Sequence, residues 1–116
     1  MKRQLAEQHG RSAEDSAAQW LLGQGWKLLD QRRKTPLGEI DLIARQGGLV
    51  AFFEVKWRAS VVELDYAIDE RRLSRVAAAV EAVAHEYATA GEDIRIDVLL
   101  LAPGAVPHHI VNAWQP

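Results

Sequence analysis

The chain has 116 residues, of which 48% are hydrophobic and 26% are charged, and it contains no cysteine. This composition is typical of one ordinary soluble domain, 1–116, and it excludes disulfides, thiolate metal sites and a cysteine nucleophile. The formal net charge of -2 does not indicate general nucleic-acid binding, so any site for a polyanion must be a local basic patch.

The apolar stretches are far shorter than the roughly 18 residues that a membrane span needs. The N-terminus, 1–10, has two basic residues but is polar where a signal peptide would carry its apolar region. The expected location is therefore the cytoplasm, without membrane contact.

The first half of the chain predicts a helix followed by three strands. Apolar and small residues recur at intervals of three and four between Lys2 and Gln24, which is the period of an amphipathic helix. Three β-rich runs follow, and we predict strands at 26–33, 39–46 and 49–58. The pair Gly47-Gly48 between the last two runs predicts a hairpin turn.

The second half predicts one helix and a strongly apolar strand. A helical stripe runs from about Asp69 to Ala88, and the run Ile94 to Leu101 is apolar enough to be a central strand covered on both faces. Arg95 and Asp97 share a face of that strand, and we expect an ion pair there. A short final strand or tail is expected at 110–114. The predicted fold class is α/β, with the order α-β-β-β-α-β and a mixed sheet flanked by helices.

Side chains alternate between the two faces of a strand, and this alternation collects charges on one face of the predicted hairpin. In the second strand of the hairpin, Glu54, Lys56 and Arg58 share that face. In the first strand, Glu39 and Asp41 share a face, and the opposite face takes the apolar residues Ile40, Leu42 and Ala44.

A two-residue turn at 47–48 also sets the register of the hairpin. Each step away from the turn adds one residue on each strand, so Asp41 lies opposite Glu54 and Glu39 lies opposite Lys56. Opposed carboxylates destabilise a half-buried sheet, and we expect their repulsion to raise the pKa of Asp41 or Glu54. One interpretation is that these acids are solvated outer-face residues, with Glu39 and Lys56 forming a cross-strand ion pair.

The other interpretation is a divalent-cation site. Two convergent carboxylates supply the hard oxygen ligands that Mg²⁺ prefers, and the ion then acts as a Lewis acid and a source of hydroxide. Lys56 is suited to hold the attacking water or to offset charge that develops on a phosphate. The apolar residues around the acids, at 40–44 and 50–53, indicate burial and favour this interpretation. Phosphodiester hydrolysis requires these parts.

The segments GEIDLIA at 38–44 and VAFFEVKWR at 50–58 strongly resemble the YraN family of uncharacterised bacterial proteins. The resemblance extends to Ala13-Glu14 in the first helix and to 95–98 in the late strand. It implies membership of the restriction-endonuclease-like PD-(D/E)XK superfamily and a single nuclease-like domain with that core. It also implies a Mg²⁺ or Mn²⁺ site at Asp41, Glu54 and Lys56.

The resemblance further implies that a Glu from the first helix joins the metal site, and Glu14 matches its position. Glu14, Ala18 and Leu21 share one helical stripe, which puts this carboxylate at the core-facing edge, although an exposed helix acid is the alternative. The family usually carries a Lys near the start of the second helix, where this chain reads ERRLSR at 70–75. Arginine does not keep the geometry of a point-charge donor, so a phosphate contact is the more natural role there.

A local basic patch is predicted around Lys56 from the residues Arg32, Arg33, Lys34, Arg58, Arg71, Arg72 and Arg75. Those of the second helix lie near its N-terminus, where the macrodipole disfavours cations, so their placement suggests contact with an anion. The alternative is a solvated face paired with Asp65, Asp69 and Glu70.

Two functions follow from these patterns. The first is a Mg²⁺- or Mn²⁺-dependent endonuclease that hydrolyses DNA, including branched or damaged DNA. The second is a non-enzymatic nucleic-acid-binding or scaffold protein on a nuclease-like fold, since a fold does not fix a function. One copy of so small a domain can nick one strand, and cutting both strands normally needs two copies, so a monomer and a homodimer both fit.

Overall fold

A computed structural model of the chain describes residues 2–59 and 69–114, with side chains described from Arg11 onward. These residues form a five-stranded sheet with a helix on each face. The order α-β-β-β-α-β that the sequence predicts is confirmed, and a short fifth strand follows it. The elements are α1 (Lys2–Gly23), β1 (Lys27–Thr35), β2 (Gly38–Gln46), β3 (Leu49–Trp57), α2 (Glu70–Val83), β4 (Asp93–Leu101) and β5 (His108–Ile110).

The sheet is mixed, and its strands follow the order β1-β2-β3-β4-β5. Strands β3 and β4 are parallel, while the three other neighbouring pairs are antiparallel. A parallel pair needs a crossover connection, and α2 belongs to that connection. Strand β4 lies between β3 and β5 and is buried from Ile96 to Leu101, which confirms the predicted central strand.

Helix α1 packs on the sheet through small side chains. Ala13, Ala17, Ala18 and Leu21 are buried in one core cluster with Phe53 of β3. Short side chains at the contact allow a helix backbone to lie close to the sheet. Acidic residues on the margin of this stripe therefore come near the strands.

Among the helices of the described residues, none combines the length and apolar character needed to cross a membrane.

Helix α2 covers the opposite face of the sheet with an apolar stripe that includes Leu73, Val76 and Val80. The helix begins after Asp69, whose side chain accepts a hydrogen bond from the backbone N–H of Arg71. This N-cap satisfies one of the free donors of the first turn. The predicted extension to Ala88 is wrong, because the α-helix ends at Val83 and the chain continues as a 3₁₀ turn, Ala84–Glu86.

The hairpin turn at Gly47-Gly48 is confirmed, with Gly47 at a φ of 59°, in the left-handed region that favours glycine. The predicted register is also confirmed, from Gln46↔Leu49 to Leu42↔Phe53. The β2–β3 ladder ends at Leu42↔Phe53. The two other predicted pairs, Asp41 with Glu54 and Glu39 with Lys56, would lie beyond that end and are not part of the ladder.

The strict alternation predicted for β2 is wrong at one point. Ile40 packs with Ile43 in the core cluster under α2, whereas Leu42 packs in the cluster under α1. Regular alternation would have put Ile40 and Leu42 on the same face. The irregularity falls at Asp41 and lies next to the end of the hairpin ladder.

Two strands also differ from the sequence prediction by more than one residue at a boundary. Strand β1 continues to Thr35, beyond the predicted end at 33. The final strand is His108–Ile110 and not 110–114, because its pairing with β4 begins at His108. The proline at 107 precedes this strand, and proline is tolerated at such a boundary because it has no N–H to donate.

Candidate metal centre and its surroundings

Asp41 and Glu54 are buried carboxylates at the place where the β2–β3 ladder ends. Their exposed fractions are 5% and 2%. The backbone N–H of Val55 donates a 2.8 Å hydrogen bond to Asp41 Oδ2. The side chain of Asp41 thus reaches the backbone of β3 beyond the last recorded pair, and this bond fixes its orientation. The alternative in which both acids are solvated outer-face residues is therefore wrong.

Asp41 and two other carboxylates converge, and we call these three residues the acid cluster. One oxygen each from Glu14, Glu39 and Asp41 lies within 4.8 Å of the others. Glu14 comes from α1, and its side chain is 15% exposed, so it is not an exposed helix acid. The sequence-predicted ligand set was Glu14, Asp41 and Glu54. In the structure, Glu39 joins the converging oxygens and Glu54 is not one of that group.

The electrostatic state of Asp41 follows from this crowding. Burial raises the pKa of Asp41 to about 8, with a further upward contribution from the charge of Glu54. The predicted increase is confirmed, although desolvation contributes more than repulsion. Burial also raises the pKa of Glu14, against the opposing effect of Arg32. The protein thus holds acids together that do not readily ionise together.

Glu54 meets two cationic side chains through the same oxygen. Arg72 Nε lies 2.8 Å from Glu54 Oε1, and Lys56 Nζ lies 3.4 Å from it. The other oxygen, Oε2, is buried and accepts no hydrogen bond from the described residues. A buried acceptor without a partner is costly, and native structures contain few of them. This oxygen is therefore the strongest local indication of a ligand.

Glu14 is paired with Arg32 of β1. Arg32 Nε lies 2.6 Å from Glu14 Oε2, and Arg32 also meets Asp15 at 3.2 Å. The φ of Arg32 is 54°, which is uncommon for a residue with a side chain. The sequence pattern predicted Arg32 in a nucleic-acid patch. It gave no sign of this ion pair, because the pair depends on the packing of α1 against β1.

The predicted basic patch is divided in the structure. Arg33 forms hydrogen bonds of 2.8 and 3.1 Å with the carboxylate of Glu86 and lies over the ring of Tyr87. Arg58 donates to the carbonyl oxygen of Trp57. The exposed members are Lys34, Arg71, Arg72 and Arg75. The described contacts therefore leave most of the exposed positive charge on the first turns of α2.

A cleft of about 560 Å³ lies between the β1–β2 turn and α2. Its lining includes Glu39 of the acid cluster and the two arginines Arg72 and Arg75. The cleft thus joins the acid cluster to the exposed basic residues of α2.

The contact between Arg72 and Glu54 was also missed from the sequence, which assigned Arg72 to phosphate. A sequence signal did exist. Arg72 precedes Val76 by four residues and therefore borders the core-facing stripe of α2. A long side chain at such a margin reaches the end of the sheet, where Glu54 lies.

A second buried carboxylate, Asp97, lies on β4. Arg95 donates to both of its oxygens at 2.8 and 2.7 Å, which confirms the predicted ion pair. His109 Nε2 lies 2.7 Å from Oδ2, and the backbone N–H of Asn112 donates to Oδ1 at 2.9 Å. Burial alone would raise the pKa of Asp97, but hydrogen bonds with His109, Arg95 and Asn112 hold that pKa below its usual range.

Fold and site together define an α/β protein with a buried acidic cluster beside its central strands. Residues 13–101 match the model of the family described as "Uncharacterised protein family UPF0102". The chain belongs to this family, as the hairpin motif predicted. The matched segment includes every member of the acid cluster and the first turns of α2.

The chain is similar along its whole length to other members of the family. A UPF0102 protein of Erythrobacter litoralis is 67% identical over 116 residues, with 100% of both chains covered. One of Sphingopyxis alaskensis is 54% identical over 116 residues, again with 100% of both chains covered. One of Rhodopseudomonas palustris is 44% identical over 107 residues, covering 91% of this chain and 82% of the relative.

Proposed function

We propose that the protein is a Mg²⁺- or Mn²⁺-dependent endonuclease of the restriction-endonuclease-like superfamily, acting on phosphodiester bonds in DNA. The observation that carries the proposal is the buried Glu54 Oε2, which has no hydrogen-bond partner among the described residues and lies near a cluster of converging carboxylates. A fold alone would not support an activity, because function resides in the site.

The donor set fits a hard divalent cation. All the candidate ligands are carboxylate oxygens, from Glu14, Glu39, Asp41 and Glu54, and Mg²⁺ and Mn²⁺ prefer oxygen ligands. A cation would also relieve the desolvation and repulsion that raise the pKa of Asp41. When bound, it would supply a Lewis acid for phosphate oxygens and lower the pKa of a nucleophilic water.

Lys56 has the catalytic role in this proposal. Its ammonium group lies 3.4 Å from Glu54 Oε1, and this contact limits the freedom of the side chain. A positioned ammonium group orients the attacking water or stabilises the negative charge that builds on the phosphate in the transition state. The exposed side chains of Arg71, Arg72 and Arg75 supply phosphate contacts outside the reacting centre.

A second candidate is a non-enzymatic nucleic-acid-binding or scaffold protein. The favouring observation is that Glu54 and Glu14 already have arginine partners, so the fold neutralises part of its acidic cluster without a metal. A binding protein would use the same exposed arginines on α2 for phosphate contacts. In such a protein, Lys56 would have no catalytic role and would contribute only its positive charge.

Cleavage of linear, flapped and four-way DNA in the presence of Mg²⁺ or Mn²⁺ tests the proposal. We expect metal-dependent cutting of at least one substrate and its loss in Asp41→Ala, whereas a contaminating nuclease would ignore that substitution. Nicks alone would indicate action by one copy, and double-strand breaks would indicate a homodimer. Binding that is independent of metal, without cleavage of any substrate, would favour the second candidate.

A further inference from the structure

Arg72 occupies an unusual position between the acid cluster and the surface. Its Nε contacts Glu54, a residue that is 2% exposed, while its own side chain is 46% exposed. The negative charge of Glu54, partly opposed by desolvation, raises the pKa of Arg72, and the charges of Asp41 and Glu39 contribute in the same direction. The guanidinium group is thus a cation in contact with Glu54 of β3 and close enough to feel the charges of Asp41 and Glu39 of β2.

This placement has a consequence for metal binding. A divalent cation and a guanidinium group compete for the same carboxylate, because each needs the negative charge of Glu54 and the two cations repel each other. Glu54 is buried and needs a cation beside it, whereas Arg72 is half exposed, so a metal that takes over the charge of Glu54 can replace the guanidinium group. The side chain of Arg72 is also long, flexible and half exposed, and it can leave Glu54 without disturbing the core beneath α2.

We propose that Arg72 is an exchangeable cation that pairs with Glu54 in the absence of metal and is released to a substrate phosphate when a divalent cation takes that carboxylate. This inference rests on the proposed function and adds a positioning role to one residue of the site. Arg72 also lines the cleft formed with Arg75 and the β1–β2 turn. The released guanidinium group therefore has a second, adjacent place in which to bind an anion.

Through this exchange, the binding of metal strengthens the binding of nucleic acid, and the binding of nucleic acid strengthens that of metal. Metal binding frees a phosphate contact, and a phosphate that holds Arg72 away from Glu54 removes a competitor of the metal. Linkage requires the two effects to be equal in size. A metal affinity that is modest in the free protein and higher with substrate follows from this coupling.

Titration of the purified full chain with Mn²⁺, without nucleic acid, tests the exchange directly. Arg72→Ala should bind Mn²⁺ at least about fivefold more tightly than the wild type, since a cation that competes for the same carboxylate is removed. The matched control is Arg75→Ala, which removes the same charge from the same cleft wall. No ion pair of Arg75 is found among residues 11–59 and 69–114, so its substitution should change the Mn²⁺ affinity by less. Arg72→Gln, which keeps most of the side chain, should repeat the gain if Arg72→Ala folds poorly.

A second readout follows the guanidinium group itself. In a titration with diamagnetic Mg²⁺, the NMR signal of the Arg72 Nε–H group should shift at the metal concentration that shifts the Glu54 carboxyl signal. Wild-type binding of Mn²⁺ that is unchanged or weakened in Arg72→Ala would overturn the exchange and leave the metal-dependent function standing. Absence of Mn²⁺ binding in the wild type and both Arg72 variants would overturn both.

Discussion

Two regions of the protein contain a buried aspartate, and they differ in the hydrogen-bond donors and charges that surround the carboxylate. Asp97 receives hydrogen bonds at both oxygens from Arg95, His109 and the backbone of Asn112, and its pKa lies below the usual range. Asp41 has one backbone donor, lies among other acids and has a pKa raised to about 8. A carboxylate paired with cationic and backbone donors stabilises a fold, whereas a carboxylate crowded by other acids, with a raised pKa, is typical of a functional site.

The largest expected effect concerns the satisfied region. Asp97→Ala should lower the free energy of unfolding by about 3–5 kcal/mol, because it leaves the partners of a buried ion pair without their acceptor. Urea unfolding followed by circular dichroism measures this loss. Asp41→Ala, the matched change in the acid cluster, should cost much less. Equal losses at the two positions would show that both carboxylates have the same structural role.

The next effect concerns catalysis at the crowded region. Lys56→Ala should lower the cleavage rate by about two orders of magnitude or more, which corresponds to at least ~2.7 kcal/mol of activation free energy. Affinity for DNA should change little. Lys27, exposed at the start of β1, is the control, and Lys27→Ala should retain the wild-type rate. A loss of DNA affinity as large as the loss of cleavage would assign Lys56 to binding alone.

The metal-free stability of the crowded region should depend on pH. The pKa of Asp41 rises from 3.8 to about 8 on folding, so the folded state retains a proton that the unfolded state loses. The contribution of Asp41 to the free energy of unfolding is fully present below pH 3.8 and is lost as the pH rises towards about 8. Asp41→Asn should remove this loss and be more stable than the wild type by at least about 1 kcal/mol at pH 9.

Thermal unfolding at pH 5, 7 and 9 measures this difference. Asp93→Asn is the control, since Asp93 is exposed at the start of β4. Mg²⁺ should stabilise the wild type by mass action and leave Asp41→Asn unaffected. Equal shifts with Mg²⁺ in both proteins would place the metal elsewhere.

The smallest effect concerns the basic residues. Arg75→Ala should reduce the salt dependence of DNA binding by about one unit of slope, because one phosphate contact is lost. Arg33→Ala should leave the slope unchanged, since Arg33 is already paired with Glu86. A reduced slope in Arg33→Ala, with no change in Arg75→Ala, would move the nucleic-acid surface from α2 to β1.

Local patterns predicted most of the fold. The Gly47-Gly48 turn and the alternation of the hairpin strands were sufficient for the register from Gln46 to Leu42. They could not predict the irregularity at Asp41, because the end of a ladder depends on what packs above and below both strands. The end of α2 was misplaced for a similar reason, since Ala84 and Tyr87 continue its apolar stripe beyond the last helical turn.

The sequence predicted which acidic residues and which lysine form the candidate site, but it did not predict their contacts with arginine. Glu14, Glu39 and Asp41 converge, Lys56 contacts Glu54, and the charge of Glu54 acts on Asp41. Each of these residues had been selected from spacing or from the family resemblance. The arginine partners of Glu14 and Glu54 were missed, because they come from elements distant in sequence. Such contacts depend on tertiary packing, which neither periodicity nor motif spacing describes.

Anomalous X-ray diffraction from crystals soaked with Mn²⁺ tests the central claim most directly. We expect an anomalous peak coordinated by Asp41 together with oxygens of its neighbours Glu14, Glu39 or Glu54, and no peak at Asp97. The peak should disappear in crystals of Asp41→Asn. A well-ordered acid cluster without a peak at saturating Mn²⁺, or a peak only at another position, would contradict the assignment of this cluster as a metal centre.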